Sequence, residues 1–215
     1  RLQHFCSEDL GSFYLDVLKD RLYTSAPRSH ARRSAQTALL HITQTLLKLM
    51  APVLSFTAEE AWNILLGTAL KTHSAIGRVT IFTECFHVMP AISGSETLHQ
   101  RWTRLREIRA LVMRKLEDLR SAGSIGSSLQ GEVDLKANGE DLILLQSVAE
   151  QLSFIFIVSR VSVHAGAGEL AIEINPSAHE KCERCWHWRE DIGQDPAHPH
   201  ICGRCVTSLN EAASS

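Results

Sequence analysis

Four of the six cysteines fall into two Cys-x-x-Cys pairs, in Lys181-Cys-Glu-Arg-Cys-Trp186 and Ile201-Cys-Gly-Arg-Cys-Val206. Two cysteines three positions apart on a tight turn can aim both sulfurs at one point. A second pair arriving after a 16-residue loop completes a tetrahedron around Zn²⁺. Cys182, Cys185, Cys202 and Cys205 are therefore the candidate ligands of one zinc ion. Four thiolates leave no open coordination position, so the ion would be structural. Gly203 sits inside the second pair, where the backbone must bend for amide N–H groups to face the thiolates. Two disulfides or a thioredoxin-like redox pair would use the same residues, but no signal peptide points to an oxidising compartment and no βαβ pattern surrounds either pair. With a complete cysteine set, His187, His198 and His200 read as loop or surface residues rather than ligands.

The same stretch offers a surface for unpaired bases. Trp186 directly follows a ligand position and Trp188 lies two residues on, so at least one indole rides on a rigid knuckle where a base can stack. Both indoles could instead cover the metal; the preferred division is one covering and one exposed. Acidic neighbours offset Lys181, Arg184, Arg189 and Arg204, so the zinc module is expected to contact bases more than phosphates. A second candidate lies near the start of the chain. Between positions 19 and 33, Lys19, Arg21, Arg28, Arg32 and Arg33 stand against Asp20, five charges against one and a net +4. A phosphate backbone could dock there, although a solvated helix junction is the plainer use of such a cluster.

Asp16, Asp20 and Glu59 lie on helical faces that suit solvated carboxylates or helical ion pairs. The sequence contains no glycine-rich phosphate loop, nucleophile elbow or paired acidic metal motif, so catalysis has no visible seat. The balance of 22 basic against 24 acidic residues confines any nucleic-acid contact to local patches. No apolar run reaches membrane-spanning length. With 44% hydrophobic and 21% charged residues, the chain reads as globular and cytoplasmic. It opens at Arg1 inside helical sequence, without an initiator methionine, which suggests a piece of something longer. Cys6 and Cys85 have no close partner and are expected as buried thiols.

The elements that must position these residues follow from periodicity. Leu10, Phe13, Tyr14, Val17, Leu18 and Leu22 recur at three- and four-residue steps and predict an amphipathic helix over 7–23. A second helix runs from Ser29, with Ala35, Leu39, Ile42, Leu46 and Leu49 on one face, until Pro52; the two helices can pair. Thr57 and Glu60 form a capping-box pattern for a third, with Gly67 as its stop. The first 66 residues thus read as a helical bundle, and 67–95 as a connector. A long helix over 96–120 carries seven basic against three acidic residues from Arg101 to Arg120, so its exposed side is expected to be positive. Period-two stretches at 132–137 and 169–175, a helix over 141–152 and a β-rich run over 154–164 complete an α+β unit of two helices on a small sheet. The expected fold is mainly α with a small α+β unit: a helical domain with connector over 1–95, an α+β domain over 96–176, and a four-cysteine zinc module over 177–215.

Taken in order, His4-Phe-Cys-Ser-Glu-Asp-Leu-Gly-Ser-Phe-Tyr-Leu-Asp-Val-Leu-Lys-Asp-Arg-Leu-Tyr23, Ser29-His-Ala-Arg-Arg-Ser-Ala-Gln-Thr37, the stretch from Pro52 to Trp62 and Lys181-Cys-Glu-Arg-Cys-Trp186 resemble the C-terminal part of bacterial isoleucyl-tRNA synthetase. The resemblance spans essentially the whole chain. It implies a helical-bundle anticodon-binding domain truncated on its N-terminal side, an α+β junction, and a C-terminal zinc-binding domain that reaches the anticodon region of tRNA(Ile). Trp186 matches the family tryptophan that stacks in the anticodon, and Arg21, Arg28, Arg32 and Arg33 become candidate RNA contacts. The signature motifs that bind ATP in the class I catalytic domain, and the editing domain, are absent from these 215 residues. The resemblance thus implies a ligase whose ATP is used elsewhere in the parent, with this piece inactive alone. A zinc-stapled protein-interaction module without RNA binding is the alternative.

Overall fold

The structure, a computed structural model, describes residues 1–67 and 80–213. It is mainly helical with one small mixed sheet, the expected fold class. The described residues gather into two units, Arg1–Arg32 with Gly94–Ser215, and Arg33–Ser93.

In the first unit a continuous helical run opens the chain: α1 (Leu2–His4), a stretch wound more widely with i→i+5 bonding (Phe5–Leu15), and α2 (Asp16–Thr24). Its partners lie far along the sequence. The Phe13 ring meets Trp102 edge-on at 6.0 Å between centroids. Arg106 and Arg109 lie over the same ring, and pair with Asp9 at 2.7 Å and Asp16 at 3.3 Å. Cys6 is half-buried rather than buried.

The helix that Arg109 and Trp102 belong to is α5 (Ser95–Ser121), which buries Leu105, Ile108, Val112 and Leu116, the repeat that keeps one helix stripe turned inward. They pack on β1 (Gly131–Ala137), whose alternating burial turns Val133, Leu135 and Ala137 to the core. The approach is close. A Cβ on Gly131 would stand 2.8 Å from Leu116 Cδ2, so glycine is what lets the strand start beneath the helix. The sheet order is β2-β1-β3, with β2 (Arg160–Ala165) parallel to β1 and β3 (Ala171–Pro176) antiparallel to it.

The expected positive face of α5 is largely neutralised. Arg104 meets Asp141 and Glu107, Arg106 meets Asp9, Arg109 meets Asp16 and the Ile155 carbonyl, and Arg120 meets Glu117. Glu107 and Glu117 lie on α5 itself, but Asp9 and Asp16 arrive from the first helix and Asp141 from the helix that follows β1, which the composition of α5 alone does not show. The region after β1 also differs from expectation. Helix α6 (Gly139–Ser147) ends early, and 152–156 form a short helix, α7 (Leu152–Phe156), instead of opening a strand. Leu152, Ile155, Phe156 and Val158 are buried in one core, and a short, wholly apolar run does not distinguish a buried helical turn from a strand.

In the second unit α3 (His30–Met50) ends before Pro52 and α4 (Ser55–Leu65) follows. Leu47, Ala51, Ala58, Trp62 and Ile81 form its core. The Thr57–Glu60 capping box does not form. Helix α4 starts two residues before Thr57, with the Ala58 amide donating to the Leu54 carbonyl, so Thr57 and Glu60 lie inside the helix rather than at its N-cap. Glu59 is not solvated but accepts from Thr80 Oγ1 and from the Ile81 amide, each at 2.9 Å. The connector read at 67–95 lies partly outside the described residues; within them, Ile81–Thr83 makes one tight turn and Cys85 is exposed, not buried. Among the described residues, no helix is long and apolar enough to cross a membrane.

Candidate functional site

The C-terminal module is a two-stranded ribbon, β4 (Glu180–Lys181) with β5 (Trp188–Arg189), followed by a loop and α8 (Gly203–Ala213). Cys182 and Cys185 stand on the ribbon turn, and Cys202 and Cys205 at the start of α8. All four are buried, and their sulfurs lie within 4.8 Å of one another. Cys182 Sγ is 3.8 Å from Cys205 Sγ, and Cys185 Sγ is 3.7 Å from Cys202 Sγ. A tetrahedral ion with Zn–S bonds of about 2.3 Å holds its sulfurs about 3.8 Å apart. The donor set therefore fits the zinc that its chemistry implies. Crowding splits the acidities: hydrogen bonding with Cys202 pushes the Cys185 thiol far up, while the Cys185 thiol pulls Cys202 far down. A divalent cation would resolve that conflict by taking all four as thiolates. Ile192 and Ile201 pack against the sulfurs, and the Cys202 amide donates to Cys182 Sγ at 3.4 Å.

Gly203 does not serve the thiolates. Its amide donates to Asp191 Oδ2 at 3.1 Å, and a Cβ there would press on that carboxylate. Asp191 thus caps α8 from a distance, where the helix dipole favours an anion. The strained bend is in the first pair instead: Trp186 has φ 65, with its amide donating to the Cys182 carbonyl at 2.9 Å. This left-handed conformation costs a side-chain-bearing residue about 1–2 kcal/mol.

The two indoles divide. Trp186 is 59% exposed. Trp188 is half-buried and its amide donates to Ser159 Oγ at 2.6 Å. It is not among the residues packed on the sulfurs, a place taken by the two isoleucines. His187, expected on a loop or surface, is 6% exposed. Its Nδ1 lies 3.1 Å from the Cys185 carbonyl, its ring meets Phe154 edge-on, and its Nε2 is buried without a partner. Burial depresses its pKa, partly countered by Asp20.

The module is joined to the first helix. Arg204 binds Asp20 through Nη1 and Nη2, at 2.5 and 2.8 Å, and lies over the Phe154 ring. Burial works against its charge, yet Asp20 holds the guanidinium pKa above its ordinary value. Arg184 donates to the Thr24 carbonyl at 2.7 Å. Asp20 is therefore neither solvated nor in a local helical pair, and sequence pattern gave no sign of this partner. Arg21, one residue on, donates to Gln151 Oε1 at 2.9 Å. In the turn that follows, Arg28 is exposed, whereas Arg32 is half-buried, with Nη1 donating to the Ser25 carbonyl and Nε buried without a partner. Arg33 is exposed and belongs to the second unit. The first unit thus brings the four-cysteine module to the C-terminal end of the first helix, at Asp20 and Thr24.

Residues 1–135 match the family described as "Anticodon-binding domain of tRNA ligase", and residues 180–207 match "Zinc finger found in FPG and IleRS". The whole chain is 67% identical to an isoleucine–tRNA ligase of Bordetella avium, covering 23% of that protein. Over 97% of the chain, the enzymes of Bordetella pertussis and Cupriavidus taiwanensis are 66% and 53% identical, with 22% and 21% of each covered. The chain therefore spans less than a quarter of the length of these relatives. With residues 1–135 of its 215 matched and a zinc-finger match lying on the four-sulfur cluster, the chain belongs to the anticodon-binding domain family of tRNA ligases.

Proposed function

We propose that this chain is the tRNA-reading end of a cytoplasmic isoleucine–tRNA ligase. It binds tRNA(Ile) at the anticodon region for ATP-dependent aminoacylation by a catalytic domain that the longer relatives have room for. The proposed division of labour is a helical anticodon-binding part over 1–95, an α+β junction over 96–176 and a zinc module over 177–215. One zinc ion on Cys182, Cys185, Cys202 and Cys205 makes the module rigid. Trp186 stacks on an anticodon base, and Arg21, Arg28, Arg32 and Arg33 approach the phosphates.

One observation carries this reading: an indole 59% exposed on a four-cysteine knuckle, held by a bend that costs energy and leaves the ring in water. Burying an aromatic ring is the ordinary use of its apolar area; base stacking is the use that needs it open. Arg28 and Arg33 are open to solvent, while the bonds of Arg21 and Arg32 to Gln151 and Ser25 compete with phosphate. The test is a gel shift of the 215-residue chain with a tRNA(Ile) transcript at several salt concentrations. Affinity should fall as salt rises, because phosphate contacts release counterions, and should drop when the anticodon is replaced. Absence of binding at low salt, or indifference to the anticodon, refutes the reading.

A further inference from the structure

The basic side chains of the zinc module are unequally occupied. Arg184 donates to the Thr24 carbonyl, Arg189 to Asp191 and Arg204 to Asp20. Lys181 differs. It sits on β4 opposite Trp188, with Nζ 5.5 Å from the ring centroid of Trp186 and 5.5 Å from that of Trp188. Among the described residues, no carboxylate lies within ion-pair distance of that ammonium. The residue is exposed. Of the arginines and lysines between 177 and 213, it is thus the one whose charge rests on indoles alone.

We propose that Lys181 is the phosphate contact of the zinc module, acting on the nucleotide that stacks on Trp186. This rests on the reading of Trp186 as a stacking surface. A cation over an indole is attracted by the ring quadrupole, but only weakly where water reaches it. The two rings park the ammonium beside the exposed indole without neutralising it. A carboxylate partner would have to be displaced before a phosphate could bind, whereas a ring face is given up readily. The four-carbon stem then lets the charge swing to a phosphate flanking the stacked base. Base and phosphate of one nucleotide would be held by residues five positions apart on a single knuckle. The expectation that this module contacts bases more than phosphates is thereby narrowed to one phosphate and one side chain.

Lys181→Met keeps the apolar stem and removes the charge. In the full 215-residue chain it should retain its zinc content and melting behaviour, and shift tryptophan emission because the cation has left the indoles. Binding of a tRNA(Ile) transcript at low salt should weaken several-fold, and the slope of log K against log salt should become shallower by about 0.7–0.9, the value of one phosphate. Lys181→Arg should restore the slope. Trp186→Ala, measured alongside, should weaken binding with the slope unchanged. If Trp186→Ala binds normally, the stacking reading fails and takes this proposal with it. If Trp186→Ala weakens binding while Lys181→Met leaves the slope unaltered, the phosphate contact alone is overturned. Loss of zinc in Lys181→Met would assign the residue to structure and also overturn it, and no binding by the unsubstituted chain would overturn both readings.

Discussion

Arg204 holds Asp20 by both of its terminal guanidinium nitrogens, Nη1 and Nη2, although 184 positions separate the two residues. Each is mostly shielded, with side-chain exposures of 31% and 14%. The pair ties the second cysteine knuckle to the last turns of α2. Removing one partner of such a pair strands the other charge, at a cost that reaches 3–5 kcal/mol where burial is complete. With part of Arg204 in water, Asp20→Ala should destabilise the first unit by about 2 kcal/mol. Denaturant titration of Asp20→Ala, Arg204→Met and the double variant checks this; the double variant should cost less than the sum of the two. Strict additivity would mean that the two side chains do not support each other.

Zinc removal tests the other half of the same junction. Elemental analysis should find one zinc per chain. Structural zinc contributes apparent binding on the order of 10–16 kcal/mol, comparable with the whole stability of a domain. Stripping it with a chelator, or replacing Cys202 by Ser, should therefore abolish hydrogen-exchange protection over 178–210. Because Arg184 and Arg204 anchor on Thr24 and Asp20, protection should also fall in α2, while the core of α5 and β1 persists. A Cys202→Ser protein with full zinc content and full protection would contradict the ligand assignment.

Acid should act through Asp141. Its hydrogen bond to Arg104, together with the guanidinium charge, holds the Asp141 pKa below the ordinary aspartate value. A depressed carboxylate contributes stability that is complete above the unfolded value and is lost as pH falls through the folded one. The loss should therefore begin near pH 4 and deepen below it. Arg104 is 42% exposed, so the effect is modest, under about 1 kcal/mol. Asp141→Asn should be less stable than the parent at pH 7, with the difference shrinking as the pH falls into the acid range, as measured by urea titration at each pH.

What the sequence disclosed follows the range of the interactions. The candidate cysteine ligands are spelled out within 24 residues, and their four sulfurs lie within 4.8 Å of one another. The long helix was legible from Leu105, Val112 and Leu116, since periodicity reports burial directly. The partners were not. Nothing near Asp20 points to Arg204, and nothing in α5 announces that Asp9, Asp16 and Asp141 neutralise it, because such pairs are made by tertiary proximity. A complete cysteine set made His187 read as a loop or surface residue, yet it is buried, with its ring edge-on to Phe154 and Nδ1 near the Cys185 carbonyl. Helix α7 was hidden because a run buried on all sides has no period to read.

Trp186 separates backbone from side chain, so two substitutions at one position can tell which matters. At φ 65 alanine keeps the left-handed strain and loses the ring; glycine loses the ring and adopts that conformation without penalty. Neither change touches Ile192 or Ile201, the residues that pack on the sulfurs, so both variants should hold zinc. Trp186→Gly should match or exceed the parent in thermal stability of the module, by up to about 1 kcal/mol once the freer unfolded chain is set against relieved strain. Trp186→Ala should not gain. For RNA the two should behave alike: each loses one base–aromatic stack and should weaken tRNA(Ile) transcript binding by about 1–3 kcal/mol, roughly 5- to 150-fold. Trp188→Ala is the internal control. Its ring is half-buried on β5 and its amide is fixed by Ser159, so its loss should lower the stability of the ribbon before it affects the RNA. If Trp186→Gly and Trp186→Ala both bind the transcript as tightly as the parent, the indole is not a stacking surface, and the strained bend has another purpose.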